Sequence, residues 1–295
     1  MRLQDWSDPV ALWWGFLLAV SALNIVALLA LRAFYRKHGR GGAFAIEPLL
    51  LLAAAYVFGC AFRSVLPRAD VQRICLFDTW LSSVLVGRSV ATIAELCFVV
   101  QWAIVLHELG KLAHSDLAKN IAKAIVPAIA LAECCSWYAV ISTNFLGNVL
   151  ENSLWAATFL LVALALIRLA FSFRGLVRSV IVAAAAGAAG YVVFMAGVDV
   201  PMYVARWQAE LADGAKFFGL FAGLHDVATR WVVTRAVAPW RHEIPWMSLY
   251  FSVAVWASLL LGGFGLVRHV LPRHRVRRPL VRPTRRPVAV AVRSS

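Results

Sequence analysis

The sequence has little of the charge that a water-soluble domain carries. Only 15% of its 295 residues are Asp, Glu, Lys or Arg, whereas 62% are hydrophobic. Soluble domains typically have about 25% charged and about 45–50% apolar residues. This composition excludes a chain built mainly of soluble domains. It predicts an integral membrane protein with the lipid bilayer as its main partner.

The sequence also lacks the short motifs of several enzyme classes. No CxxC, P-loop, GxSxG or HExxH pattern occurs, which argues against a recognisable ATPase, serine hydrolase or zinc peptidase. No internal repeat is evident, so the inverted repeats of many secondary transporters are absent. Cys60 and Cys75 flank one predicted extramembrane segment, and the sequence leaves open whether they form a disulfide.

Seven long apolar runs dominate the chain. A helix that crosses a membrane needs about 20 mostly apolar residues. Window hydropathy predicts such spans at 9–33, 44–66, 89–110, 122–142, 153–173, 177–198 and 246–267. We therefore expect an all-α polytopic membrane domain over residues 1–270, a bundle of about seven transmembrane helices. The last span has no Lys for a Schiff base with retinal, which argues against a retinal pigment.

The positions of Lys and Arg predict the orientation, because basic residues in short loops stay on the cytoplasmic side. The expected location is the bacterial cytoplasmic membrane, with the N-terminus outside and the C-terminus in the cytoplasm. The predicted cytoplasmic segments are all basic. They contain Arg36, Lys37 and Arg40, then Lys111, Lys119 and Lys123, then Arg174 and Arg178.

The C-terminal segment 271–295 is rich in Arg and Pro and contains no acidic residue. Such a composition cannot form a packed core, so we predict a disordered cytoplasmic tail. The net charge of +14 raises the question of nucleic acid. Juxtamembrane arginines, however, attract anionic lipid head groups by about 1 kcal/mol each. We therefore predict contact with anionic lipid and no nucleic-acid partner.

Two predicted outer segments, 67–88 and 199–245, are too long to be simple turns. The first contains the apolar stretch 81–86, which is too short to span and is expected at the interface or as a re-entrant piece. The second has apolar residues at helical spacing with charges between them. This pattern predicts short amphipathic helices on the outer face.

Polar residues inside the predicted spans are the main functional clue, because such groups are costly in hydrocarbon. Asn24, Glu95, Gln101 and Glu133 are of this kind. If the third and fourth spans are neighbours, Glu95 and Glu133 could share an outward-facing polar pocket. Its mouth would carry the basic residues Arg63 or Arg88.

These residues are the candidate binding site for a substrate, cation or proton: Glu95, Gln101, Glu133, Arg63 and Arg88. Gln101 points about 120° away from Glu95, so the two need not share a site. The alternative is that the two acids are structural, and are satisfied by hydrogen bonds between helices or by an arginine.

Histidine offers weaker clues, and the sequence identifies no cofactor. A zinc site needs three or four converging ligands, and a membrane haem would need His deep inside two facing spans. The pairs His225-Asp226 and His242-Glu243 share one outer segment and are weak metal candidates. Solvated loop residues are the default interpretation, so no metal site is predicted.

Small residues mark expected helix contacts, since they let backbones approach closely. These are Ala183, Ala186, Gly187 and Gly190 in the sixth span, and Gly262, Gly263 and Gly265 in the seventh.

Three functions remain open, and the sequence does not decide whether the protein is an enzyme. The first is a carrier or channel-like protein that handles a small solute, lipid or proton through the outward-facing pocket. The second is an intramembrane or interfacial lipid-modifying enzyme that uses Glu95 or Glu133. The third is a non-catalytic scaffold subunit of a membrane complex.

Overall fold

The computed structural model describes residues 8–38 and 43–267, and most of them are helical. The α-helices are α1 (Pro9–His38), α2 (Ala43–Val65), α3 (Val84–Leu112), α4 (Asp116–Ser142), α5 (Leu146–Ala170), α6 (Gly175–Phe194), α7 (Val200–Ala212), α8 (Leu220–Thr229), α9 (Val237–Trp240), α10 (Glu243–Leu249) and α11 (Val255–Val267). Two π-helical turns, Met195–Asp199 and Tyr250–Ala254, join α6 to α7 and α10 to α11. The predicted tail 271–295 lies outside the described residues.

Within residues 8–38 and 43–267, seven helical stretches are long and apolar enough to cross a membrane, which confirms the number read from hydropathy. They are Pro9–Lys37, Pro48–Val65, Val84–Leu112, Asp116–Ser142, Leu146–Ala170, Gly175–Ala212 and Glu243–Phe264. In the bundle, each of α2 to α6 packs against the preceding helix, and α11 closes it against α1 and α2.

The predicted end of the sixth span at residue 198 is wrong. The helix continues through the π-helical turn Met195–Asp199 into α7, so 200–212 is an extension of this helix and not a separate interfacial one. Pro201 explains the irregular turn, because a proline clashes with the carbonyl four residues earlier, here that of Gly197. A π-helical turn at that point widens the helix and accommodates the ring.

The segments 66–83, 143–145 and 213–242 lie at one end of the bundle, which we call the cap end. Strand β1 (Arg68–Ala69) pairs antiparallel with β2 (Ile74–Cys75), and β2 pairs parallel with β3 (Val232–Val233). The apolar stretch 81–86 is divided between a 3₁₀ turn, Trp80–Ser82, and the start of α3 at Val84, so it forms no separate re-entrant piece. A position of Trp80–Ser82 at the membrane interface stays a prediction. Ser83 caps α3 by accepting a hydrogen bond from the Val86 N–H.

Two buried contacts fasten the cap to the bundle. The Arg73 guanidinium donates to Asp226 of α8 at 2.8 Å and to the Val140 carbonyl of α4. Gly223 of α8 lies so close to the Ile141 carbonyl that no side chain fits there. The outer faces of this helix are apolar, with Phe221 86% exposed. Short helices therefore do occur within 199–245, and their position at a membrane interface stays a prediction.

The cysteines and small residues give a mixed outcome. Cys60 and Cys75 are both free and buried, so no disulfide joins them.

Gly262 of α11 does lie against α2, with Ala53 beside it. The expected contact face of the sixth span is wrong, however. Ala183, Ala186, Gly187 and Gly190 are exposed, and α6 instead buries Ile181, Ala185 and Ala188, which lie on another face.

Candidate functional site

Four ionisable side chains meet inside the bundle near the cap end. Arg88 and Glu95 stand on one face of α3, Glu133 comes from α4 and Glu151 from α5. The Arg88 Nη2 atom lies 2.8 Å from Glu95 Oε2, 2.6 Å from Glu133 Oε2 and 3.7 Å from Glu151 Oε1. We call these four residues the Arg88 cluster. A single guanidinium nitrogen therefore serves three carboxylates.

Uncharged hydroxyl groups donate hydrogen bonds to two carboxylates of the cluster. Thr92 Oγ1 donates to Glu133 Oε2 at 2.7 Å and itself accepts from the Trp137 indole at 3.1 Å. The Tyr250 hydroxyl donates to Glu95 Oε1 at 2.8 Å. Tyr250 stands at the start of the second π-helical turn. The last long helix therefore touches the cluster directly at this irregular turn.

The cluster has more carboxylates than cations. The side chains of Arg88, Glu95, Glu133 and Glu151 are 7, 9, 4 and 9% exposed. Asn148 Nδ2 donates to Glu151 Oε2 at 3.1 Å, but Asn148 Oδ1 and Glu133 Oε1 are buried without a hydrogen-bond partner. Three carboxylates and one guanidinium leave two negative charges unpaired. Buried like charges at this distance cannot all stay ionised, so the site favours the uptake of a proton or another cation.

Oxygen atoms of the three glutamates lie within 4.8 Å of one another, close enough to hold a single ion. The Arg88 Nη2 atom already stands among them. The geometry is therefore that of an ion-pair cluster around a resident cation.

Aromatic rings lie directly below the cluster, on the side away from the cap. Phe98 follows Glu95 by three residues and Trp155 follows Glu151 by four, so each lies on the same helix face as its acid. Phe98 stacks on Tyr56 at 4.8 Å and lies 6.4 Å from Phe159 between ring centres. The cluster thus lies between a polar cap and an aromatic layer.

The sequence prediction and the structure agree in part on this site. Glu95 and Glu133 do come together, and Arg88 stands between them in the interior instead of at a mouth. Arg63 lies 3.9 Å from Asp70 of the cap. Arg63 also lines a narrow pocket with Tyr250, beside Glu95. The role of these residues in binding stays a prediction.

Glu151 was not among the predicted site residues. The predicted fifth span began at residue 153, whereas α5 begins at Leu146 and carries Asn148, Glu151 and Asn152 in its first two turns. All three are buried. Their spacing of three and four residues on one helix face was the available signal, and the late span boundary hid it.

Gln101 lies outside the cluster. Its Nε2 donates to the carbonyls of Leu49 at 3.0 Å and Ser258 at 3.2 Å, and its Oε1 accepts from the Ser258 hydroxyl at 2.6 Å. It thus joins α2, α3 and α11. Asn24 plays a similar part, since it donates to the Phe251 carbonyl and accepts from the Trp256 indole.

The four weak metal candidates do not converge. Asp226 is bound by Arg73 and Arg230, and His225 contacts Thr229. His242 contacts its neighbour Arg241, and Glu243 accepts from Gln72. Within 8–38 and 43–267, the three glutamates of the Arg88 cluster are the group of potential ligands that meets.

Electrostatics in the cap differ from those of the cluster. Burial raises the pKa of Asp70, but the guanidiniums of Arg68 and Arg63 outweigh burial and hold that pKa below its usual value. Burial likewise raises the pKa of Asp226, but hydrogen bonds from Arg230 and Arg73 outweigh burial, so that this pKa too lies below its usual value. Both cap carboxylates are therefore ionised at neutral pH.

Comparisons of the chain with protein-family models, with curated proteins and with solved structures found no match.

Proposed function

We propose that the chain is an integral membrane protein that handles protons, and a small solute with them, through the Arg88 cluster. The seven long apolar helices support the membrane assignment. So do the large apolar side chains on their outer surfaces, such as Leu51, Leu176 and Leu260, which are 71 to 79% exposed. Exposed leucines in such number are unfavourable in water and suit contact with lipid.

The orientation proposed is that of the sequence, with the cap end outside. Exposed basic residues at the opposite end support it, because these attract the anionic cytoplasmic leaflet. Of that kind are Arg32, Arg36, Lys37, Lys111, Lys123, Arg174 and Arg178. At the cap end, Arg68, Arg73 and Arg88 are buried in ion pairs. That end also exposes four basic residues, but exposed acids accompany them, namely Asp78 and Asp213 beside Lys216, Arg230, Arg235 and Arg241. The assignment to a bacterial cytoplasmic membrane belongs to the same proposal.

The observation that carries the function is the excess of buried carboxylates over cations. Glu95, Glu133 and Glu151 lie within hydrogen-bond or ion-pair distance of one arginine, with two negative charges left over. A proton shared by two of these carboxylates would remove part of that excess. Release of this proton toward either end of the bundle would restore the excess negative charge. A cycle of proton uptake and release at the cluster would therefore link the two sides of the membrane.

The test is proton flux in liposomes that contain the purified protein and a trapped pH-sensitive dye. With a potassium diffusion potential imposed, we expect flux with the unmodified chain and at least a tenfold loss in Glu133→Gln and Glu151→Gln. Glu210→Gln is the matched control, because Glu210 lies outside the cluster and accepts from the Phe145 N–H. Equal flux in all variants, or none above protein-free liposomes, would contradict the proposal.

A further inference from the structure

Arg88 meets the three carboxylates through one nitrogen. Nη2 makes the contacts at 2.8, 2.6 and 3.7 Å, while the Arg88 Nε atom is buried without an acceptor. An arginine normally contributes several donors of its planar fork to a carboxylate. Here the three acids instead surround one positively charged N–H group, as they would surround the amino group of a ligand.

Besides the Arg88 Nε donor and the Ser136 hydroxyl, two buried acceptors near this nitrogen have no hydrogen-bond partner. Glu133 Oε1 and Asn148 Oδ1 are acceptors in residues that are 97 and 92% buried. A buried acceptor without a donor costs about 1–3 kcal/mol, so the site is incomplete as it stands. A ligand with several N–H groups and a positive charge would satisfy both atoms and offset the surplus negative charge.

The aromatic layer below the cluster suits the same ligand. Tyr56, Phe98, Phe159 and Trp155 form a continuous set with ring centres 4.8 to 6.4 Å apart. The faces of such rings attract organic cations that have left water. A hydrated metal ion would gain less from this surrounding, because its ligands of choice are oxygen atoms and water.

Arg88 has a second acidic neighbour, in the cap. It is Asp70, which pairs with Arg68 at 2.8 Å. The Arg68 side chain lies directly over Gly87, next to Arg88 in α3. A guanidinium that leaves the three glutamates toward the cap therefore approaches a carboxylate that already pairs with Arg68 and Arg63.

We propose that the Arg88 cluster binds a small organic cation with N–H donors, a primary amine or a guanidine, in the place that the Arg88 guanidinium holds. This inference rests on the proposed function and names its solute. Arg88 then acts as a built-in competitor that neutralises the carboxylates when the ligand is absent. Because the ligand and the proton neutralise the same carboxylates, entry of one cation favours release of the other.

The first test measures binding of guanidinium to purified protein in detergent, by thermal unfolding and calorimetry at constant ionic strength. Arg88→Gln vacates the site while keeping most of the side-chain length. We expect low-millimolar guanidinium to raise the melting midpoint of Arg88→Gln saturably, with at least tenfold higher affinity than in the unmodified chain. The added change Glu151→Gln should abolish this effect.

Three controls decide the chemistry. Tetramethylammonium has the same charge but no N–H donor and should give no saturable shift. Arg73→Gln removes another buried arginine, outside the cluster, and guanidinium should not stabilise it. Calcium chloride tests for a divalent ion. Equal shifts with tetramethylammonium or in Arg73→Gln, or a shift with calcium alone, would overturn the proposal.

The second test uses the unmodified chain and therefore does not depend on the folding of Arg88→Gln. Liposomes containing the protein should take up labelled guanidinium when the pH gradient drives protons outward, and excess unlabelled methylammonium should inhibit this uptake. Proton flux without guanidinium uptake overturns this inference and leaves the proposed function intact. Absence of both overturns the two proposals together.

Discussion

Gln101 and Arg88 stand on the same helix and are both buried, yet their hydrogen-bond partners differ in charge and in how fully they are satisfied. Every hydrogen-bonding group of the Gln101 amide has a partner in α2 or α11, and all partners are neutral. Around Arg88 the partners are three carboxylates, and acceptors remain that nothing satisfies.

The difference separates a structural polar contact from a site. A closed set of neutral hydrogen bonds stabilises the packing of helices and has no capacity left for a ligand. An open set with unbalanced charge is costly in the same surrounding, and its persistence indicates that a proton or a cation completes it.

The largest effect is expected for Arg88→Gln at neutral pH. Removing one partner of a buried ion pair typically costs about 3–5 kcal/mol, because the other charge is left unpaired. Here three carboxylates lose their cation, so we expect a loss of that size in the free energy of unfolding, measured by equilibrium unfolding in mixed micelles.

Two comparisons show whether the loss comes from charge. Adding Glu133→Gln to Arg88→Gln should recover part of the stability, because it removes one of the unpaired carboxylates. Arg73→Gln should cost less, since Asp226 keeps its second partner Arg230. An equal loss for Arg73→Gln and no recovery in the double variant would mean that Arg88 acts through packing alone.

Gln101→Leu should have an intermediate effect on stability and none on function. The change leaves the Ser258 hydroxyl without its acceptor, at a cost of about 1–3 kcal/mol. Combining it with Ser258→Ala should recover part of that loss in a double-mutant cycle. Proton flux in liposomes should stay unchanged; a flux defect in a well-folded Gln101→Leu protein would show that the contrast with Arg88 is false.

Hydropathy was sufficient to predict the seven long helices, because each contains a run of apolar residues about as long as a membrane span or longer. It also placed Glu95 and Glu133 on consecutive helices, whose contact followed from the short connection 113–115. Helix periodicity separated Gln101 from Glu95, but the partners of each could not be read from the sequence. Their partners lie in α2, α4, α5 and the last long helix.

Contacts between distant parts of the chain explain other features of the fold that the sequence did not predict. Arg73 and Asp226 are far apart in the chain, and no local pattern connects the loops that carry them. The extension of α6 into α7 depends on a π-helical turn that accommodates Pro201, whereas a proline in a sequence ordinarily signals the end of a helix.

The smallest effect is expected in the cap, at an ion pair in which arginines outnumber carboxylates, the reverse of the Arg88 cluster. Asp70 lies 2.8 Å from Arg68 and 3.9 Å from Arg63, so one carboxylate serves two arginines. Burial raises its pKa, but the two guanidiniums hold that pKa below its usual value. A carboxyl group with a lowered pKa stabilises the fold above its usual pKa, and this contribution disappears as the pH falls through the lowered value. Asp70→Asn should therefore cost about 1 kcal/mol at pH 7, and the melting midpoints of the variant and the unmodified chain should converge only below the usual pKa of an aspartate, about 3.9. If they converge instead between pH 5 and 7, the carboxyl is not held ionised by its arginines, and the cap would resemble the Arg88 cluster after all.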